Sequence, residues 1–247
     1  MTEYAPPEYA LSETGSGRPV LIFHGGGGPF TVGPIAAHVA RSAHAIVPTL
    51  PGWNGTPRPD SLATIADYAD YYASLLEQRD LSDVLVIGSS LGGWLAAELA
   101  LRTSRVTGLI LVDAGGIEVP GEPMRNFFSL DARGVAEYSF HDSEKFYVDP
   151  TTLPPEQVAA RRANSATMRT IAGDPYMRDA TLVGRLPQIG APTLVIWGES
   201  DRIFTPGYGR AFAAAIPGAR FELVAKAGHL PQLEQPGATF ALIDSAL

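Results

Sequence analysis

The sequence has no cysteine among its 247 residues. Disulfide bonds, thiolate nucleophiles and cysteine-ligated metal centres are therefore excluded. Basic residues are also scarce, with 18 Lys and Arg against 26 Asp and Glu, and they form no run. Proteins that bind nucleic acid usually present a clustered positive surface. We therefore expect no nucleic-acid partner for a chain with a net charge of −8.

Long hydrophobic runs are absent as well. No apolar stretch approaches the ~18 residues that a membrane-spanning helix needs. Residues 1–9 contain two Glu, two Pro and no apolar core, which is unlike a secretory signal. These features predict a cytoplasmic protein without membrane attachment. A chain of 247 residues is also long enough to bury one substantial core.

Short apolar runs alternate with helical patterns at both ends of the chain, which is typical of a parallel sheet with crossover helices. The predicted strands are 19–23, 45–47, 83–87, 106–112, 192–197 and 221–224, and the predicted helices are 62–78, 91–101, 208–216 and 239–247. The alternation stops between 116 and 185, where helical fragments such as 155–171 replace it. A break of that length inside a compact domain is usually a functional insertion. The pattern predicts an α/β core of residues 1–115 and 186–247 with a helical insertion at 116–185.

One serine stands on a predicted strand-to-helix turn, in the Gly-Ser-Ser-Leu-Gly segment at 88–92. Small flanking residues permit a sharp turn that pushes the central side chain of a G-x-S-x-G pattern out of the sheet edge. This selects Ser90 as the candidate nucleophile and predicts that Ser89 points inward. The alternative is a glycine turn that serves only to pack the helix on the sheet.

A second glycine segment, His-Gly-Gly-Gly-Gly at 24–28, follows the first predicted strand. Acyl transfer develops negative charge on a carbonyl oxygen, and preorganised backbone N–H groups stabilise this charge. We expect one N–H from Gly26, with Gly27 as the alternative, and another from Leu91, which follows the nucleophile. His24 is predicted to fix this loop. A phosphate-binding loop is excluded because the G-x-G-x-x-G spacing and the Walker lysine are missing.

A serine nucleophile needs a base, and the base needs a buried carboxylate to orient it. Among the five histidines, His229 is the one that lies directly after the last predicted strand. Asp201 and Glu199 follow a late strand, and Asp113 follows an earlier one, so all three are candidate acids. The chain order Ser90, Asp201, His229 occurs in known catalytic triads, and parallel strands would bring these residues to one edge of the sheet.

These motifs together resemble the α/β-hydrolase family over nearly the whole chain. The matching segments are the oxyanion strand and loop at 20–26, the Leu-Pro-Gly loop at 50–52, the nucleophile elbow at 88–93, the acid strand at 192–201 and the histidine loop at 228–236. The resemblance implies the α/β-hydrolase fold, a mostly parallel sheet flanked by helices, with residues 116–185 as an inserted helical cap over the active site. It also favours Asp201 over Glu199 and Asp113 as the acid.

Individual residues narrow the resemblance within the family. Haloalkane dehalogenases and epoxide hydrolases of this fold use Asp where this chain has Ser90, so the chain resembles neither. The glycine loop followed by Pro29 is similar to the carbon–carbon-bond hydrolases of aromatic degradation. Those enzymes commonly have Asn before the nucleophile and Trp after the histidine, where this chain has Ser89 and Leu230. Enol-lactonases and small carboxylesterases fit about equally well.

We therefore predict a serine hydrolase that cleaves an ester, lactone or activated C–C bond of a small organic substrate. No metal or cofactor is expected, because the sequence has no H-E-x-x-H motif, no clustered ligands and no nucleotide loop. A lyase such as a hydroxynitrile lyase, or a ligand-binding receptor on the same fold, is the alternative. Six aromatic residues of the insertion either line an apolar pocket or pack against one another; they are Phe127, Phe128, Tyr138, Phe140, Phe146 and Tyr147.

Overall fold

A computed structural model describes residues 9–247; most of the N-terminal segment considered above as a candidate signal lies outside the described residues. Within 9–247 the chain forms a seven-stranded sheet of order β1-β3-β2-β4-β5-β6-β7. The strands are β1 Leu11–Thr14, β2 Pro19–Phe23, β3 His44–Pro48, β4 Val84–Ser89, β5 Val106–Val112, β6 Thr193–Gly198 and β7 Arg220–Val224. β1 pairs antiparallel with β3, and the other neighbouring strands pair in parallel.

Helices connect these strands. They are α1 Gly33–Val39, α2 Ile65–Gln78, α3 Leu91–Ala100, α4 Ala132–Ser139, α5 Ser143–Phe146, α6 Pro155–Ile171, α7 Leu182–Arg185, α8 Pro206–Ala214, α9 Pro231–Glu234 and α10 Pro236–Asp244. Short 3-10 turns lie at Pro29–Val32, Phe127–Ser129, Pro150–Thr152 and Leu186–Gln188. None of the helices in the part of the chain that the structure describes is long and apolar enough to cross a membrane.

The sheet separates two apolar cores. In β2, Leu21 and Phe23 face the core that α2, α3 and α8 cover, whereas Val20 and Ile22 face the core covered by α1 and α10. All six residues of β4 are buried, as expected for a parallel strand with helices on both faces. The predicted mostly parallel α/β fold is therefore confirmed.

The strand β1 and the helix α1 were not predicted, and several boundaries differ by one to three residues. β1 is an edge strand whose four residues are half-buried or exposed, so it carries no apolar run. α1 begins with Gly and Pro and buries only two side chains, which gives a weak helical pattern. α2 begins at Ile65 instead of 62 because Thr64 caps it, with the side chains of Thr64 and Asp67 each accepting the other's backbone N–H.

Strand register aligns the carboxyl ends that carry the predicted site residues. Gly88 pairs with Phe23, Ser89 with Val112, and Val112 in turn with Ile196. The residues that follow these strands therefore meet at one edge of the sheet. Helices α4 to α7 all lie between β5 and β6 in the chain, so the segment that contains them starts from this edge of the sheet. Because β6 runs parallel to β5, the chain re-enters the sheet at the opposite edge.

Candidate active site

Ser90 occupies the turn between β4 and α3 with φ 57° and ψ −118°, a conformation that residues other than glycine rarely adopt. The flanking glycines allow this turn. A Cβ on Gly88 would lie 2.1 Å from the carbonyl oxygen of Gly92, and one on Gly92 would lie 2.5 Å from that of Phe23. The Ser90 N–H donates to the Val112 carbonyl at 2.9 Å. The turn therefore holds the serine in one strained, well-supported position.

His229 joins Ser90 and Asp201 in a hydrogen-bonded row. Its Nε2 lies 2.9 Å from the Ser90 Oγ, and its Nδ1 lies 2.8 Å from the Asp201 Oδ2. The Asp201 Oδ1 accepts the backbone N–H groups of Ile203 at 2.8 Å and Phe204 at 3.1 Å. Because Asp201 accepts from Nδ1–H, a neutral His229 presents an unprotonated Nε2 to Ser90, as a general base must.

The three candidate acids occupy different environments. Glu199 is exposed. Asp113 is fully buried, but its Oδ1 accepts the Gly198 N–H at 2.9 Å. Asp201 makes the hydrogen bond to the His229 Nδ1. This geometry supports Asp201 as the orienting acid.

Asp113, Asp201 and His229 are also the one cluster of potential metal ligands found within residues 9–247. One ligand atom from each lies within 4.8 Å of the other two. The Asp201–His229 contact of 2.8 Å has the length of a charge-assisted hydrogen bond. The contact between Asp201 and His229 is therefore accounted for by a hydrogen bond without a metal ion.

The glycine loop lies directly against Ser90. A Cβ on Gly25 would be 3.0 Å from the Ser90 Cβ and 3.6 Å from its Oγ. The Gly25 carbonyl accepts the Gly28 N–H at 3.1 Å and lies 2.7 Å from the His24 Nδ1. The C=O and N–H of a trans peptide point in opposite directions. Anchoring the Gly25 carbonyl inside the loop therefore directs the Gly26 N–H away from it.

The neutral imidazole of His24 holds this peptide in place. Its Nε2 accepts the Leu50 N–H at 3.1 Å, so the proton of the neutral ring resides on Nδ1, which donates to the Gly25 carbonyl. Burial lowers the pKa of His24 to about 4, because desolvation disfavours the charged ring. These contacts agree with the predicted role of His24 in fixing the loop.

Two further features support the oxyanion site predicted at Gly26 and Leu91. The Trp53 Nε1–H donates to the Gly26 carbonyl at 2.9 Å, which fixes the next peptide of the loop. Leu91 is the first residue of α3, where backbone N–H groups have no partner within the helix. The positive end of the helix dipole lies at the same place. No local sequence pattern indicated that Trp53 would contact the Gly26 carbonyl.

Replacing His24 with glutamine is expected to lower kcat about tenfold to a hundredfold, because a misplaced oxyanion donor loses most of its effect. A glutamine amide occupies the position of Nε2 and keeps the Leu50 contact, but it abandons the Gly25 carbonyl. Asparagine is the matched control, since its amide occupies the position of Nδ1 and should retain most activity. The measurement is kcat on p-nitrophenyl acetate. Equal losses in the two variants would show that the Gly25 contact is not what matters.

A cavity of about 450 Å³ lies above Ser90 and His229. The core contributes the glycine loop, and the insertion contributes most of the remaining wall. The residues that line it from the insertion are Phe127, Ala132, Val135, Ala136, Ser139, Phe140, Phe146, Val148, Arg161, Asn164, Ser165, Met168, Tyr176 and Met177. Among the described residues, Arg161 is the only Lys, Arg, Asp or Glu in the lining. The wall is therefore largely apolar.

The six aromatic residues for which two roles were predicted divide between those roles. Phe127, Phe140 and Phe146 line the cavity. The rings of Phe140 and Phe146 stack with centroids 4.8 Å apart. The other three pack within the insertion: the guanidinium of Arg169 lies over Phe128, that of Arg125 over Tyr138 and that of Arg133 over Tyr147.

Helix α6 is bonded to the loop that follows β3. The Asn164 Oδ1 accepts the Asn54 N–H at 2.8 Å, and the Thr167 Oγ1–H donates to the Gly52 carbonyl at 2.9 Å. Met168 lies against Gly26, where a Cβ would be 2.1 Å from its Sδ. One face of α6 therefore closes the cavity directly over the glycine loop.

The histidine loop is tied to the insertion as well. The His229 N–H donates to the Ser139 carbonyl at 2.6 Å. The Glu234 carboxylate accepts the N–H groups of His141 and Asp142, at 2.9 to 3.1 Å. It also accepts the Gly228 N–H within the same loop. The sequence motif includes Glu234 but does not indicate its link to the insertion, because His141 and Asp142 lie 93 and 92 residues away.

Comparison with known proteins agrees with this architecture. The model of the "Alpha/beta hydrolase family" matches residues 20–242. A 2-hydroxy-6-oxononadienedioate/2-hydroxy-6-oxononatrienedioate hydrolase of Cupriavidus pinatubonensis is 25% identical over 253 residues, covering 92% of this chain and 86% of that protein. A thermophilic esterase of Thermogutta terrifontis is 27% identical, with a TM-score of 0.68 over 99% of this chain and 95% of its own.

The fold likeness extends to more distant structures. The meta-cleavage product hydrolase of Pseudomonas fluorescens IP01 is 18% identical, with a TM-score of 0.80 over 96% of this chain and 93% of its own. The family predicted from the motifs is confirmed by a family match that spans most of the sequence. The chain belongs to the α/β hydrolase family.

Proposed function

We propose that this hydrolase cleaves an ester, lactone or activated C–C bond of a small, largely apolar substrate, with Ser90 as nucleophile, His229 as base and Asp201 as orienting acid. The observation that carries the proposal is the continuous row from the Ser90 Oγ through His229 to Asp201, at 2.9 and 2.8 Å. This row lies beneath a cavity that reaches both Ser90 and His229.

Each group has one task in the proposed reaction. The His229 Nε2 takes the Ser90 proton as Oγ attacks the substrate carbonyl, and Asp201 stabilises the imidazolium that forms. The Gly26 and Leu91 N–H groups stabilise the oxyanion. The leaving group departs with the proton held by His229, and a water activated by the same nitrogen then releases the acyl group from Ser90.

Within this class, the cavity favours ester and lactone substrates with an apolar acyl group. Leu230 lines the cavity beside His229, at the position where the carbon–carbon-bond hydrolases commonly carry Trp. Ser89 is 1% exposed and lies outside the cavity lining, at the position where they commonly carry Asn. The relative from Cupriavidus pinatubonensis is named for C–C cleavage, and this supports C–C hydrolysis as the second candidate.

An activity panel tests the proposal. It comprises p-nitrophenyl esters of increasing acyl length, small lactones and vinylogous 1,5-diketones. We expect the highest kcat/KM on esters or lactones. A higher kcat/KM on the diketones would reverse the order of the two candidates. Turnover without a covalent adduct on Ser90 would support a lyase, and binding without turnover of any class would support a receptor.

Truncating the stacked pair Phe140 and Phe146 to alanine is expected to change acyl-chain preference. An apolar group in a binding pocket changes discrimination by roughly 1–3 kcal/mol, so kcat/KM on p-nitrophenyl octanoate should fall about tenfold or more relative to that on the acetate. Phe128→Ala is the matched control, because Phe128 belongs to the insertion but lies outside the cavity lining. Loss of acetate hydrolysis in a folded Phe140 variant would place this segment in the catalytic machinery.

A further inference from the structure

Asp113 is a buried acid that the proposed reaction does not use. It follows β5 with φ 45°, and none of its surface is exposed. Its Oδ1 accepts the Gly198 N–H at 2.9 Å. No donor within residues 9–247 reaches its buried Oδ2. Native proteins rarely leave a buried polar atom without a partner, so this oxygen requires an explanation.

Among the described residues, the charged groups that act on Asp113 are the acids Asp201 and Glu234. One ligand atom each of Asp113, Asp201 and His229 lie within 4.8 Å of one another. Burial first, and the negative charge of Asp201 second, raise the pKa of Asp113 well above its ordinary value, with a smaller contribution from Glu234. Two carboxylates at this separation in a dry interior cannot both stay ionised at low cost.

The hydrogen bonds decide which of the two acids holds the proton. Asp201 accepts three donors: the N–H groups of Ile203 and Phe204 on Oδ1, and His229 on Oδ2. Asp113 accepts only the Gly198 N–H among the described residues. Donors stabilise the ionised form, so this arrangement favours the proton on Asp113 over the proton on Asp201.

We propose that Asp113 is a neutral carboxylic acid whose Oδ2–H donates to the Asp201 carboxylate, and that this makes it a positioning residue of the triad. The proposal rests on the proposed function of Ser90, His229 and Asp201. The proton stays on Asp113 and no bond to the substrate forms there. The donated hydrogen bond holds Asp201 in register with His229 and withdraws part of the negative charge that stabilises the protonated imidazole.

The first test is the pH profile of kcat/KM. Asp113→Asn keeps an acceptor for Gly198 and a donor for Asp201, so its acid limb should stay within about 0.3 pH unit of wild type. Asp113→Ala leaves Asp201 with its full charge, which stabilises protonated His229. Its acid limb should therefore move upward by about half a unit or more, and kcat/KM below that limb should fall several-fold.

An ionised Asp113 gives the opposite pattern. Asparagine would then remove a negative charge beside His229 and move the acid limb downward, which would overturn the proposal. An unmoved limb in Asp113→Ala would also overturn it, since a purely structural residue leaves the profile in place. Asp83→Asn is the control, because Asp83 also has a positive φ of 53° but its side chain is 69% exposed.

Infrared difference spectroscopy between the wild-type protein and Asp113→Asn provides a readout that does not depend on turnover. We expect a protonated-carboxyl band at neutral pH that is absent from Asp113→Asn. If this band is missing while Ser90 still reacts with a fluorophosphonate, the inference about Asp113 fails and the proposed function stands. If the band is present but Ser90 does not react, the proposed function fails instead.

Discussion

Replacing Ser90 with alanine is expected to lower kcat about 10⁶-fold, because loss of the nucleophile removes the whole covalent pathway. Binding and the oxyanion donors would leave a small residual rate above that in water. A fluorophosphonate probe should label the wild-type protein on the peptide that contains residue 90 and leave Ser90→Ala unlabelled. Mass spectrometry of the labelled peptide provides the measurement.

Two other serines near the site serve as controls. Ser89 precedes Ser90 but is 1% exposed, and Ser200 lies 2.8 Å from the Nδ1 of His141, outside the proposed triad. Alanine at either position should leave probe labelling intact. Labelling of Ser89 or Ser200 in the Ser90→Ala protein would contradict the assignment of the nucleophile.

Replacing Asp201 with asparagine is expected to lower kcat on the order of 10⁴-fold with little change in structure. An amide NH₂ cannot accept from the Nδ1–H of His229. The tautomer that leaves Nε2 unprotonated towards Ser90 therefore loses its support. The measurement is kcat on p-nitrophenyl acetate, with circular dichroism to verify that the variant is folded.

Glu199→Gln is the matched control, since it makes the same chemical change two residues earlier on an exposed side chain. Its kcat should stay within about twofold of that of the wild type, because surface substitutions usually have small effects. The assignment of the acid would be contradicted if Asp201→Asn kept a kcat within tenfold of wild type while Asp113→Asn lost most of its kcat. The orienting carboxylate would then be the one that follows β5.

The parts of the site that the sequence predicts are those that depend on adjacent residues. Ser90 needs a strand before it, a helix after it and glycines two positions away on each side, and all of these can be seen within ten residues. Asp201 and His229 follow strands whose apolar runs are equally local. Since parallel strands share a carboxyl edge, placing the three residues on that edge required no knowledge of strand order.

The parts that sequence reasoning missed depend on contacts between distant segments. Trp53 reaches the Gly26 carbonyl across 27 residues, and Asn164 reaches Asn54 across 110. Whether Phe140 lines the cavity or Phe128 does is set by how the insertion packs, because both are aromatic residues in or directly after short helical segments. The edge strand β1 was missed for a different reason, since an exposed strand of four residues has no apolar signal.

The bonds between α6 and the loop after β3 bear on how new specificities could arise in this chain. Asn164 and Thr167 find their partners at Asn54 and Gly52, and those partners lie about 60 residues before the insertion begins. Recombination that replaced residues 116–185 alone would bring in a helix without its anchors and leave the Asn54 amide and the Gly52 carbonyl without theirs. A new specificity gained by recombination therefore requires the exchange of two separate stretches of sequence. A chimaera that exchanged both would transfer the helix that closes the cavity together with its hydrogen-bond partners in the loop after β3.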